Sequence, residues 1–351
     1  MTLDPRGDLV ALFRAIVDIE SVSGNERELA DQIERALRGC AHLSVLRDGD
    51  TVIARTALAR DQRVVIAGHL DTVPLTGNLP SWREGDLIYG RGSCDMKGGV
   101  AVMLAAAFAL EAPSSDLTWI FYDHEEVEAS ANSLTRIAAT RPEMLAGDFA
   151  VLMEPTNARV EGGCQGTLRF TVTTTGRAAH SARAWMGHNA IHDAADLLAR
   201  LGAHQPEQPE VDGLRYHEGL NAVAIEGGIA GNVIPDRCTA TVNYRFAPHR
   251  SIEQAQQYCR DVLDGYELTF IDAAAGARPG LDRPAAAAFL AAVGGEPSAK
   301  FGWTDVARFS ALGIPAVNFG PGDPSKAHAD DEFCPVGDLI TCRDAILRWL
   351  S

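Results

Sequence analysis

Hydrophobic and polar positions change their spacing along this chain, and the changes divide it into three stretches. Residues 8–39 read as two helices, "DLVALFRAIVDIE" and "NERELADQIERALRG", with charges spaced along the outer face and Asn25 placed to cap the second. Continuous apolar runs follow. "RVVIAGHLD" (63–71), "LTWIFYD" (117–123) and "DFAVLME" (148–154) read as buried strands, and "KGGVAVMLAAAFALEA" (97–112) as a helix. Strands apolar throughout, alternating with helices, predict an α/β fold whose mostly parallel, mixed sheet is covered by helices. The tail returns to this style. It offers helices in "PAAAAFLAAVGG" and "TDVARFSALG", a strand in "PAVNFG" (315–320) and a closing amphipathic helix, "DLITCRDAILRWL".

The middle is patterned differently. From residue 167 the order is strand "TLRFTVTTTG", helix "GHNAIHDAADLLARLGA", strand "LNAVAIEGGI", strand "RCTATVNYRFA", helix "SIEQAQQYCRDVLDG" and strand "YELTFIDAA". This β-α-β-β-α-β order, with alternating residues suited to a one-faced sheet, predicts a ferredoxin-like α+β insertion. We therefore expect an inserted domain at 167–279, dividing a larger domain into residues 1–166 and 280–351. "HQPEQPEVDG" (204–213) reads as a surface loop.

Composition narrows the partners. The 351 residues suit two domains, and 46% hydrophobic residues support a large core. A net charge of −16, from 31 Lys and Arg against 47 Asp and Glu, argues against nucleic acid or an anionic membrane surface. It leaves small anionic substrates open, since a metal or arginine reverses the field locally. Seven cysteines without a CxxC pair read as mostly buried thiols in a reducing compartment. The opening "MTLDPRGDLVALFRAIVDIE" shows no signal peptide, and "GGVAVMLAAAFALEA" is too short to span a bilayer, so the expectation is a cytoplasmic protein.

Chemistry-bearing residues gather at the ends of the predicted strands, where open α/β sheets place their sites. "GHLDTVP" carries His69 and Asp71 two apart, so the carboxylate is near enough to orient the imidazole; an unrelated pair reads equally well on this fragment alone. "GRGSCDMKGG" (90–99) sets Asp95 in a glycine-rich turn before a helix. Gly98 after Lys97 breaks the phosphate-binding pattern GxxxxGK[ST], and a carboxylate in a tight turn suits bridging cations better. "DHEEVE" begins like the zinc motif HExxH, but Glu128 stands where the second histidine belongs and the lead-in is a strand. "MEPT" contributes Glu154, and "KAHADDEF" contributes His328. Adjacent Glu125 and Glu126 repel each other, and burying either costs several kcal/mol unless a cation or hydrogen bonds offset it. Neighbours on an extended chain point opposite ways, so one of the pair can face metal ions only if the backbone bends, and the strand is expected to end at or before Glu125.

Taken in order, "GHLDTVP", "GRGSCDMKGGVA", "DHEEVE", "MEPT", "AHSARAWMGHNAIH" and "AHADDEF" resemble the co-catalytic zinc aminoacylase/peptidase family that includes the desuccinylases, acetylornithine deacetylases and carboxypeptidase G2. The resemblance covers essentially the whole chain. The runs "EGGCQGTLRF" and "FGWTDVARFSALGIPAVNFGPGDPSKAH" look most like the actinobacterial desuccinylases. It implies two Zn²⁺ per subunit, with Co²⁺ a possible substitute, bridged by Asp95. His69 and Glu154 would complete one ion's protein ligands, and Glu126 and His328 the other's. Asp71 would orient His69, and Glu125 would serve as general base. The insertion resembles the family's dimerisation lid, which implies a homodimer in which His180 reaches from the partner subunit toward the oxyanion. Asn232 and Arg245 match substrate-contacting positions, and Thr304 lines the same pocket. The implied reaction is hydrolysis of N-succinyl-L,L-2,6-diaminopimelate to succinate and L,L-2,6-diaminopimelate; acetylornithine or a dipeptide is the alternative substrate. Two departures bear on the acyl group: "GWTDV" (302–306) replaces a "GGTSD"-like run, and Gln165 stands where other members carry arginine.

Overall fold

The computed structural model describes residues 3–351. Helix α1 (Leu9–Val17) is capped by Asp8, whose carboxylate accepts the Ala11 N–H at 2.8 Å. Helix α2 (Arg27–Leu37) starts behind Glu26 with no side-chain cap, so the expected Asn25 cap is not made. The helix begins one residue later than that cap would need, and the Asn25 side-chain NH2 donates to Glu20. Next come strands β1 (Ser44–Asp48), β2 (Thr51–Arg55) and β3 (Arg63–His69), then α3 (Gly98–Ala109), β4 (Asp116–Tyr122), α4 (Ser133–Thr140), β5 (Phe149–Leu152) and β6 (Glu161–Gly162). The β1–β2 hairpin escaped the apolar pattern because β1 is only half-buried and turns through Gly49 at φ 61°.

The chain then enters a smaller compact unit made of Cys164–Arg278 and Ala299–Thr304. It holds β7 (Gly166–Thr175), α5 (Ala190–Ala203), β8 (Gly219–Gly227), β9 (Arg237–Phe246), α6 (Ile252–Val262) and β10 (Leu268–Ala274). Its antiparallel sheet runs β8-β9-β7-β10. Even-numbered residues of β9 from Cys238 to Phe246 are buried while their neighbours are partly exposed, the alternation of a sheet with one covered face. Leu168, Phe170, Val172, Val242 and Tyr244 pack there with Leu197 of α5 and Cys259 of α6. Ala299–Thr304 cluster with this unit, whereas the sequence grouped all of 280–351 with the larger domain.

The larger unit is completed by Pro279–Ser298 and Asp305–Ser351, with α7 (Pro284–Val293), α8 (Val306–Ala311), β11 (Ala316–Asn318) and α9 (Val336–Leu350). Seven strands of its eight-stranded sheet run in the order β1-β2-β4-β3-β5-β11-β6. The four central strands β4, β3, β5 and β11 are parallel, and β1, β2 and β6 pair antiparallel at the margins. Every residue of β4 and β5 is buried, which is why these segments read as unbroken apolar runs. Trp119, Phe121, Phe149 and Phe289 fill the core, each burying about 1.5–3 kcal/mol worth of apolar surface. Two glycines bring the layers close around the end of β5. A Cβ on Gly99 or on Gly320 would sit 2.3 Å from the Met153 carbonyl oxygen. All seven cysteines are free and buried. No helix among the described residues is long and apolar enough to cross a membrane.

Candidate metal centre

The parallel strands share a direction, so their C-terminal ends deliver side chains to one edge of the sheet. His69 is the last residue of β3. Its Nε2 lies 3.1 Å from Asp95 Oδ1, and its Nδ1 lies 2.9 Å from the Asp71 carbonyl oxygen. The Asp71 carboxylate stays 3.7 Å from Nδ1, so the close orienting contact comes from the main chain of Asp71. That carboxylate is occupied elsewhere. It accepts the N–H groups of Glu125 at 3.0 Å and Glu126 at 2.9 Å, and the Ser23 hydroxyl at 2.7 Å.

Strand β4 stops at Tyr122, and His124 turns the chain at φ 61°. This left-handed residue supplies the bend that lets the neighbouring glutamates diverge. Glu126 Oε1 lies 3.0 Å from His328 Nε2, and that nitrogen lies 3.5 Å from Asp95 Oδ2. His328 is itself at φ 65°. Asp95 thus faces one imidazole with each of its oxygens. The turn that carries it passes through Gly92 at φ 76°, where a Cβ would come within 2.6 Å of the Thr72 methyl. Glu154 follows β5 and is buried, close enough to His69 and Glu125 to act on both electrostatically.

The electrostatics say what the cluster seeks. Hydrogen bonds that the His328 imidazole donates to Asp95 and Glu126 lift it to about 10. Burial alone would lower His69, but Asp95, Glu154 and Asp71 together drive it well above its usual range. Burial would likewise raise Asp95, yet His328 and His69 hold its carboxyl below the ordinary carboxylate range. Burial drives Glu125 upward, helped by the nearby charge of Asp305 and then of Glu154 and Glu126. Carboxylates crowded around two imidazoles therefore demand positive charge. Ligand atoms of His69, Asp95 and Glu126 all fall within 4.8 Å of one another, and imidazole plus carboxylate is a donor set suited to divalent cations. The residues present fit a metal.

The remaining expected residues belong to the smaller unit. His180 is exposed, and its Nδ1 accepts the Ala182 N–H at 3.0 Å. It pairs with Val233, and the Ser181 N–H donates to the Asn232 carbonyl at 2.9 Å, so His180 and Asn232 lie on adjoining segments. An open cavity of about 680 Å³ beside them is lined by Arg177, His180, Arg183, Trp185 and Met186. Arg245 is half-buried on β9 opposite Thr167 and Gly219, and Thr304 is buried with its carbonyl 3.7 Å from the Cys164 thiol. Gln165 is buried and donates to the His217 carbonyl at 2.6 Å.

Sequence reasoning passed over Asp305 and Glu332. Asp305 is fully buried, accepts from the Asn132 amide at 2.9 Å and pairs with Arg308. The only signal was its place in "GWTDV", already noted as a departure. Glu332 lay within "KAHADDEF", and nothing in its spacing marks it as buried.

Comparison with known proteins gives this arrangement its context. A family model described as peptidase family M20/M25/M40 matches residues 65–351. The chain belongs to this family. The M20 chain is 52% identical over 352 residues to a Mycobacterium tuberculosis (strain ATCC 25618 / H37Rv) protein named "Putative succinyl-diaminopimelate desuccinylase DapE", covering 99% of each chain. It is 46% identical over 361 residues to the succinyl-diaminopimelate desuccinylase of Corynebacterium glutamicum, covering 99% of this chain and 98% of that one. Among solved structures it resembles Bacillus subtilis YXEP, described as a dinuclear metal binding peptidase from the M20 family. The TM-score is 0.72 at 18% identity, over 97% of this chain and 96% of that one. Membership in this metallopeptidase family, together with the cluster at the strand ends, makes the M20 chain a metal-dependent hydrolase.

Proposed function

We propose that the protein hydrolyses N-succinyl-L,L-2,6-diaminopimelate to succinate and L,L-2,6-diaminopimelate with the help of two divalent cations, zinc or cobalt. The metal chemistry rests on one observation: the two oxygens of Asp95 face different imidazoles, His69 at 3.1 Å and His328 at 3.5 Å. The choice of acyl group rests on the names of the Mycobacterium and Corynebacterium relatives. Asp95 would be the shared ligand, with His69 and Glu154 on one side and Glu126 and His328 on the other. Bound there, two cations supply Lewis-acid polarisation of the scissile carbonyl and a water of lowered pKa.

This chain's residues do the rest. Glu125 is tied through its backbone to Asp71, and Glu126 rather than Glu125 meets His328, so the Glu125 carboxylate is the one assigned to protons. It takes the proton of the attacking water and returns it to the leaving amine as the amide C–N bond breaks. Arg245 suits a bidentate hold on a substrate carboxylate, with Asn232 and Thr304 as further contacts.

His180 would meet the oxyanion from a second copy of the chain. Strand β8 is a sheet edge exposed from Asn221 to Gly227, and it presents Val223 and Ile225 at 58% and 47% exposure. Ile191 of α5 lies against Gly227, beside Ile229 at 86% exposure. An unpaired edge flanked by apolar side chains suits pairing with its own copy across a twofold axis.

The test is a panel of pure substrates offered to the zinc- and cobalt-loaded full chain. The succinylated diaminopimelate should give the highest kcat/KM. Faster turnover of N-acetylornithine or a dipeptide would transfer the same chemistry to that substrate.

A further inference from the structure

Glu332 plays no part in the reaction as drawn, yet it is one of the most heavily engaged carboxylates in the larger unit. It is 1% exposed, and four groups donate to it. Its Oε1 accepts the N–H of Cys94 at 2.9 Å and of Asp95 at 3.0 Å. Its Oε2 accepts the N–H of Gly92 and the Arg91 guanidinium, both at 3.0 Å. All four donors come from the turn that presents Asp95. Glu332 and Arg91 also fasten this turn to the loop that carries His328. The Gly90 N–H donates to the Glu332 carbonyl at 3.2 Å, and Arg91 donates to the Ala329 carbonyl at 3.1 Å. Arg91 is itself 2% exposed.

An ion pair of this kind could serve stability alone, and buried pairs are weak evidence even for that. The placement of the bonds argues for more. Three of the four go to main-chain N–H groups, and one of these belongs to Asp95 itself. The Asp95 carboxylate has to face two imidazoles at once, and such geometry tolerates displacements of only about 0.5 Å.

We propose that Glu332 is a positioning residue of the metal centre: its carboxylate fixes the main chain at Asp95 so that both Asp95 oxygens stay aimed at the two ions, and it holds the His328 loop to the same frame. This rests on the reading of Asp95 as the shared ligand.

The test uses the full chain, stripped of metal and titrated with Zn²⁺ and with Co²⁺. Glu332→Gln keeps the shape but turns an amide toward N–H donors. Glu332→Asp keeps the charge and the Arg91 partner but withdraws the carboxylate by one methylene. Both should raise the metal dissociation constant by about tenfold to a hundredfold, alter the visible absorption of the Co²⁺ form, and lower kcat with little change in KM. Asp116→Asn, which loosens the fold far from the cluster, should leave affinity and spectrum as in the parent. If a Glu332 variant unfolds without metal, the zinc concentration that restores its circular dichroism reports the same affinity. Parent-like affinity and spectrum in both Glu332 variants, whatever their melting temperatures, overturn the proposal. A parent chain that takes up no metal overturns instead the reading on which it rests.

Discussion

Asp71 accepts the main-chain N–H of Glu126 through Oδ2 at 2.9 Å, while its other oxygen takes the N–H of Glu125 at 3.0 Å. One buried carboxylate thus sets the backbone of both glutamates just after the left-handed turn at His124. Asp71→Asn places an amide where at least one of these N–H groups needs an acceptor, and an unmet buried donor costs about 1–3 kcal/mol. We expect kcat to fall by about tenfold to a hundredfold, as for other residues that orient metal ligands. Steady-state kinetics alongside metal analysis checks this. Parent-like kcat would mean that Ser23 and the turn suffice without the carboxylate.

Glu125→Gln separates proton transfer from metal binding. The amide preserves size and the backbone bond to Asp71, but it cannot take a proton from water. We expect kcat to drop by about a hundredfold to ten-thousandfold. Metal content by elemental analysis should stay at the parent's value, since Glu126 and not Glu125 meets His328. Retained hydrolysis would remove Glu125 from the general-base role.

The strand ends were legible because apolar runs stop abruptly at His69, Asp123 and Glu154, and the bend before Glu125 followed from the need for one of two adjacent glutamates to face a metal. What stayed hidden has partners far away in the chain. Glu332 meets donors some 240 residues earlier, and Asp305 meets Asn132 across 173 positions. Neither contact leaves a periodicity or a local motif. Asn25 failed as a cap for a local reason: the helix starts one residue later than that cap requires, behind Glu26. The assignment of Ala299–Thr304 was equally opaque, since these residues carry no pattern that places them in one unit.

Asp116 offers a test by pH away from the cluster. It opens β4, and its Oδ1 accepts the Leu58 N–H and the Thr56 hydroxyl, each at 2.8 Å, while Oδ2 accepts the Arg60 N–H at 3.0 Å. Burial alone would raise its carboxyl, but these hydrogen bonds, with Arg63 nearby, hold it below the ordinary 3.8. A carboxyl depressed in the folded state stabilises the fold above its unfolded value and loses that contribution as pH falls through the folded one. Asp116→Asn should therefore cost about 1–3 kcal/mol near neutral pH, with the gap to the parent shrinking below about pH 4. Urea midpoints of both proteins from neutral pH downward measure it. A gap that stays constant with pH would show that the charge on Asp116 contributes nothing.

The exposed edge of β8 ties assembly to activity. A lysine at Ile225 would bring a charge to the middle of the surface assigned to the second copy, where the native side chain is 47% exposed. The substitution touches neither the metal cluster nor the covered core of the smaller unit, so folding and metal uptake should persist. Sedimentation should show the parent as a dimer and Ile225→Lys as a monomer. If His180 acts across the pair, the monomer should lose kcat to about the extent that His180→Ala does, and combining the two changes should add little. A fully active monomer would confine the chemistry to one chain and return His180 to an ordinary exposed side chain.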